Sequence, residues 1–164
     1  IGLTFYWLED EKIYEPLKIN RMKIGIASDH GGFEIKQILK DRLEKQKHTI
    51  IDFGNFEINP EDDYPDFVIP LAKAVANNEV ERGIAVCGSG VGASIAANKI
   101  RGVRAGLVHD NYSAHQGVED DNMNILCMGG RIVGNDKAIE LALTFVEANF
   151  SSKERHIRRL KKIE

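Results

Sequence analysis

Cysteine is scarce in this chain, with two in 164 residues. That excludes a disulfide-stapled scaffold, and none of the Cys/His spacings that hold zinc occurs. No apolar run approaches the roughly 18 residues a membrane span needs. A strong excess of charge is also missing: the net charge of −3 argues against a binder of polyanions such as nucleic acid. Internal repeats and low-complexity stretches are absent too. What is present is ordinary for a globular chain, 43% hydrophobic and 29% charged residues, which excludes disorder and collagen-like repeats. Together these values describe one soluble domain of a reducing compartment, expected in the cytoplasm, with a core large enough to need no covalent staple.

The first 21 residues stand apart. They hold the single tryptophan, Trp7, beside Phe5 and Tyr6, then the acidic run Glu9–Glu11. The apolar part is short and no basic segment precedes it, so it does not read as a signal peptide. Residues 1–21 are read as an extension of unassigned role, and residues 22–164 as the working domain.

From Met22 onward, short apolar runs alternate with longer amphipathic ones. Ile24–Ala27, Thr49–Phe53, Gly83–Cys87, Val103–Val108 and Asn124–Met128 are the expected strands. Between and after them lie helical stripes: Phe33–Gln46, a helix opening near Pro65, Ala93–Asn98, Asn111–Asp120, Asp136–Asn149 and Lys153–Ile163. Regular alternation of strand and helix implies a parallel sheet covered on both faces. The expected fold is a doubly wound, Rossmann-like three-layer α/β/α domain with a five-stranded parallel sheet.

In such sheets, ligands bind beyond the carboxyl ends of the strands. Polar and glycine residues gather at four of those ends: Ser28–Gly32, Cys87–Gly92, His109–Tyr112 and Gly129–Arg131. The run Cys87-Gly-Ser-Gly-Val-Gly92 joins a strand to a helix, so its backbone N–H groups can converge on an anion. It has neither the P-loop spacing nor a convincing dinucleotide fingerprint. Cys87 stands at the strand end facing those amides, a setting that favours a reactive thiolate over a buried structural thiol. Cys127, inside an apolar strand, reads as structural. Asp29 and His30 precede Gly31-Gly32 at a second helix start, as a helix cap or as substrate ligands. Arg155 and Arg159, four apart, share one face of the last helix. That pair suits a phosphate clamp or a solvated basic face. Arg131 is a third candidate cation.

Five motifs then occur in order: Asp29-His-Gly-Gly, Asp63-Tyr-Pro-Asp, Cys87-Gly-Ser-Gly-Val-Gly, Ile95-Ala-Ala-Asn-Lys and Gly129-Gly-Arg. The series resembles the B-type ribose-5-phosphate isomerases and the related galactose-6-phosphate isomerase subunits, over essentially Met22–Ile163. The resemblance implies a metal-independent aldose–ketose isomerase with no cofactor and a phosphorylated sugar as substrate. It also implies a homodimer, possibly paired into tetramers, with active sites between subunits. Residue by residue, it makes Cys87 the base that moves a proton between C1 and C2. Ser89 and the backbone of Gly88, Gly90, Val91 and Gly92 would stabilise the enediolate oxygen. Asp29, His30, Tyr64 and His109 would contact substrate, and Arg131, Arg155 and Arg159 its phosphate.

One position departs from the pattern. Many family members carry His-Asn where this chain has Asp120-Asp121, and that histidine opens the sugar ring. Here Asp120, His109 or His115 would substitute, or the substrate needs no ring opening. A tetrose 4-phosphate meets the last condition, because its ring-closing O4 carries the phosphate. The expectation is ribose 5-phosphate isomerisation. The alternatives are another phosphorylated sugar (tetrose, allose or galactose phosphate) or a non-catalytic phosphate- or nucleotide-binding module.

Overall fold

The computed structural model describes residues 20–164. The extension expected over residues 1–21 therefore lies almost wholly outside the described residues. The remainder runs β1 (Lys23–Ser28), α1 (Phe33–Lys45), β2 (Thr49–Asp52), α2 (Pro65–Ala76), β3 (Arg82–Cys87) and α3 (Val91–Ala97). It continues with β4 (Ala105–Leu107), α4 (Asn111–Asp121), β5 (Ile125–Gly129), α5 (Asn135–Glu147) and α6 (Glu154–Leu160). All four strand pairings are parallel, in the order β2-β1-β3-β5-β4. The five-stranded doubly wound sheet expected from the alternation is present.

Side chains along a strand alternate between faces, so each central strand feeds two cores. Ile24, Ile26, Ile84, Val86, Leu126 and Met128 pack with Leu39 and Leu43 of α1 and Leu141 and Phe145 of α5. Ala27, Ala85, Cys87, Ile125 and Cys127 face the other way, against Val68, Leu71 and Val75 of α2 and Ala93 and Ala97 of α3. The second layer meets small residues on the strands, which lets α2 and α3 lie close to the sheet. Fully burying a side chain such as Leu141 or Phe145 is worth about 1.5–3 kcal/mol, so these two clusters supply most of the drive to fold.

Helix starts follow local chemistry. Pro65 opens α2, where its missing N–H is no loss. At α4 the Asp110 carboxylate accepts the Ser113 N–H at 2.8 Å. That bond holds the Asp110 carboxyl below its usual range. β4 is shorter than the sequence suggests, because Arg104 N–H donates to the Asn124 side chain rather than to a strand. The last helix also stops early, at Leu160.

Register fixes which residues share an end of the sheet. Gly83 pairs with Ile125 at one end of β3 and β5, and Cys87 with Gly129 at the other. The turns after β1, β3, β4 and β5 thus meet at the Cys87 end.

Candidate active site

At that end three strand-to-helix turns touch backbone to backbone. Gly130 N–H donates to the Cys87 carbonyl at 2.7 Å, and Arg131 N–H to the Gly88 carbonyl at 3.0 Å. A Cβ on Gly31 would stand 2.9 Å from the Gly88 nitrogen. Glycine is therefore required where the β1–α1 turn abuts the β3–α3 turn. Gly90 has φ +81°, a left-handed conformation that turns its N–H back onto the Cys87 sulfur at 3.1 Å. Cys87 is only 4% exposed, and this donor would stabilise negative charge on sulfur. Ser89 is exposed beside it, its Oγ accepting the Val91 N–H at 3.3 Å.

Other expected residues converge on the same turn. The Tyr64 ring covers Gly92, where a Cβ would stand 2.6 Å from the ring carbon bearing the hydroxyl. The Arg131 side chain crosses Gly88, 3.7 Å from where its Cβ would lie. His109 accepts the Gly129 N–H at Nε2 (3.1 Å), which leaves its proton on Nδ1. Asp29 accepts the Gly31 N–H at 2.9 Å, and burial raises its carboxyl above the usual range despite that bond. Cys127 differs from Cys87. Buried in β5 with the Cys87 thiol as neighbour, it has its pKa pushed far upward and stays a thiol.

Asp62 belongs here and was missed in the sequence, where it lies in a polar loop beside the Asp63-Tyr-Pro-Asp motif. Its Oδ1 stands 2.6 Å from His30 Nδ1 and accepts the His30 backbone N–H at 3.1 Å. Its Oδ2 accepts the Asn55 side-chain amide at 2.6 Å. Asp29, His30 and Asp62 also offer one atom each within 4.8 Å of one another, a spacing a metal ion could use. In this arrangement, however, His30 Nδ1 and both Asp62 oxygens are already engaged with protein groups.

The remaining candidates do not join them. α4 leaves the Cys87 end after β4 and returns alongside the sheet, a run of about 16 Å for its 11 residues. Its last residues reach the opposite end, where the Asn122 carbonyl accepts from Arg104 at the start of β4. Asp120 and Asp121 are therefore far from Cys87 of the same chain. α6 sits with them: Ser151 N–H donates to the Glu119 carbonyl at 2.9 Å, and buried His156 Nδ1 lies 3.1 Å from Asp120 Oδ1. Asp120 Oδ2 accepts from Gln116 at 2.9 Å. Arg155 and Arg159 project from α6 as exposed cations. His115, also exposed, pairs with Glu119 on the surface of α4. A cleft of about 580 Å³ opens along the β4 edge, lined by Arg101, Arg104, Gln116, Asp121 and Glu164, with none of the Cys87 turn in it.

Residues 24–163 match the family model described as Ribose/Galactose Isomerase. The chain belongs to that family. A ribose-5-phosphate isomerase B structure from Clostridium thermocellum is 45% identical, with a TM-score of 0.83, covering 87% of this chain and 95% of that one. A Mycoplasma genitalium ribose-5-phosphate isomerase B structure with bound ribulose-5-phosphate is 39% identical, also at TM-score 0.83, covering 86% and 93%. A Mycolicibacterium smegmatis relative, D-erythrulose-4-phosphate isomerase 2, is 38% identical over 77% of this chain and 82% of its own length. The structural neighbours share the doubly wound fold, and the chain is an isomerase of phosphorylated sugars. No helix among the described residues is long and apolar enough to cross a membrane.

Proposed function

We propose that this isomerase interconverts ribose 5-phosphate and ribulose 5-phosphate through a cis-enediolate, with Cys87 as the base. The observation that carries the reading is the Cys87 turn, a buried sulfur at a strand end with a backbone N–H aimed at it. In the open-chain aldose, the thiolate removes the C2 proton and the C1 carbonyl oxygen becomes the enediolate oxygen; the O2 hydroxyl proton then passes to O1, and the thiol returns its proton to C1 as O2 becomes the ketone oxygen. Ser89 and the amides of Gly88 and Gly92 form the surface on which the oxyanion develops, while the Gly90 N–H faces the sulfur and the Val91 N–H the Ser89 hydroxyl. Asp29, His30, Tyr64 and His109 hold the sugar, and Arg131 lies within the same turn cluster. No metal or cofactor enters these steps.

Residues 22–164 form the catalytic unit of this reading, and the enzyme works in the cytoplasm as a homodimer. Two unpaired thiols accord with a reducing compartment. The dimer is supported by the split of the candidates between opposite ends of one chain. A second copy can bring its Asp120, Asp121, Arg155 and Arg159 to the Cys87 end, whereas one chain cannot. Val91, Ile95, Leu107 and Ile132, all exposed apolar residues around the Cys87 end, give that copy a surface to cover.

A tetrose 4-phosphate is the second reading. Both Asp120 oxygens are occupied, by His156 and Gln116. His109 Nε2 is an acceptor from Gly129, and His115 is a surface residue. None of the three is placed as a free ring-opening acid, and the Mycolicibacterium smegmatis relative bears the name of a four-carbon isomerase. The test is turnover in deuterated water on pentose, hexose and tetrose phosphates. An isomerase washes deuterium into C1 or C2, and the highest kcat/KM identifies the sugar. Binding without exchange on any sugar would leave a phosphate- or nucleotide-binding module.

A further inference from the structure

We infer that Asp62 is a positioning residue for His30: it holds the ring by Nδ1, so that Nε2 is the nitrogen presented to the sugar phosphate. The inference rests on the reading of His30 as a substrate contact. A histidine's working nitrogen is set by the bond its other nitrogen makes. Here one carboxylate oxygen takes two donors from the same residue, the His30 backbone N–H at 3.1 Å and ring Nδ1 at 2.6 Å. That double contact fixes the ring's rotation as well as its tautomer. Nε2 has no hydrogen-bond partner among the described residues, and the side chain keeps 29% of its surface exposed.

Asp62 is in turn held from behind. Asn55, 4% exposed, donates to Asp62 Oδ2 and to the Glu57 carbonyl, while its own Oδ1 accepts from Ser28 Oγ at 3.2 Å. Lys36, fully buried, donates to the Asn55 carbonyl and, at 2.8 Å, to Asp52. Both Asp62 oxygens therefore face N–H donors, so a carboxylate satisfies the position and an amide cannot. If the Asn55 amide flipped to accommodate an amide at 62, its oxygen would face the Glu57 carbonyl. The network spans β1, α1 and the loop after β2, and it converges on the one residue whose neighbour, Gly31, abuts the Cys87 turn. A loop staple alone would need neither the ring contact nor two acceptor oxygens.

The test uses the full-length chain and the substitutions Asp62→Asn, Asn55→Ala and His30→Ala. In the wild type, nitrogen-15 NMR should show His30 Nδ1 protonated, with a downfield, slowly exchanging proton. In Asp62→Asn that signal should be lost. On the best sugar phosphate, kcat/KM should fall about 10–100-fold, the range that applies to carboxylates orienting metal-bound histidines and taken over here for a substrate-binding one. In the His30→Ala background the same substitution should change kcat/KM less than about twofold. Asn55→Ala keeps the carboxylate and should give a smaller loss with a broadened Nδ1 proton, which covers the case in which Asp62→Asn folds poorly. An equal loss with and without His30, or unchanged ring signals in Asp62→Asn, would overturn the inference. If the wild type turns over no phosphorylated sugar, the isomerase reading fails, and the ring signals still decide whether Asp62 sets the His30 tautomer.

Discussion

Around Cys87 polar groups are held by backbone: strand ends, glycine contacts and amides that point at a sulfur or a carboxylate. Around Asp120, at the other end of the sheet, they stand on helix surfaces, and two of the four candidates are freely exposed arginines. The difference separates two tasks. Moving a proton between adjacent carbons needs groups fixed to within about half an ångström. Attracting a phosphate tolerates long side chains that settle on it. Under the proposed function, one end reacts and the other is offered to a second chain.

The sharpest way to break this contrast is to exchange the two cysteines' roles. Cys87→Ala should lower kcat by about 10²–10⁴-fold, the usual contribution of a positioned base, and should slow deuterium wash-in to the same extent. Cys127→Ala should instead lose about 1–2 kcal/mol of stability, measured by urea unfolding, with kcat retained within about twofold. Wild-type exchange in the Cys87→Ala protein would remove the base from this residue.

Next in size is the division between ends. The double substitution Arg155→Ala/Arg159→Ala should raise KM for the sugar phosphate at least about tenfold. Mixed and refolded in equal amounts with the Cys87→Ala chain, it should recover about a quarter of wild-type activity, because half the dimers then hold one intact site in two. No recovery would place both sets of residues in one chain's own site.

Smaller effects test how each end is held. His156→Ala removes the buried partner of Asp120 and should lower stability by about 1–2 kcal/mol, read as a lower urea midpoint. KM should rise as α6 loosens. Asp29→Asn should act in the opposite sense. Burial raises the Asp29 carboxyl, so ionised Asp29 destabilises the fold above its raised pKa. That penalty fades as pH falls toward the ordinary carboxylate value. The substituted protein should therefore be slightly more stable at pH 7, by thermal melting, with the gap closing in acid. Its kcat/KM should nevertheless drop. A gap that widens in acid would contradict the direction of the shift.

Much of this is legible in the residues alone. Short continuous apolar runs located every strand to within a few residues, because central strands covered on both faces are buried along their length. The glycine turns were readable for a similar reason: backbone contact at Gly31 and left-handed φ at Gly90 admit little else. Asp62, Asn55 and Lys36 were not readable. A lysine one step off a helical stripe and two polar loop residues carry no pattern, and they become partners only when three segments fold together.

The sequence by itself determined the doubly wound sheet, the Cys87 turn and the family, since each depends on local residue chemistry in a fixed order. Only the tertiary structure decided that Asp120, Asp121, Arg155 and Arg159 stand opposite Cys87, and that His30 leans on Asp62. A helix returning alongside its sheet carries its last residues to the far end, and a buried carboxylate takes whatever donors the packed chain brings to it.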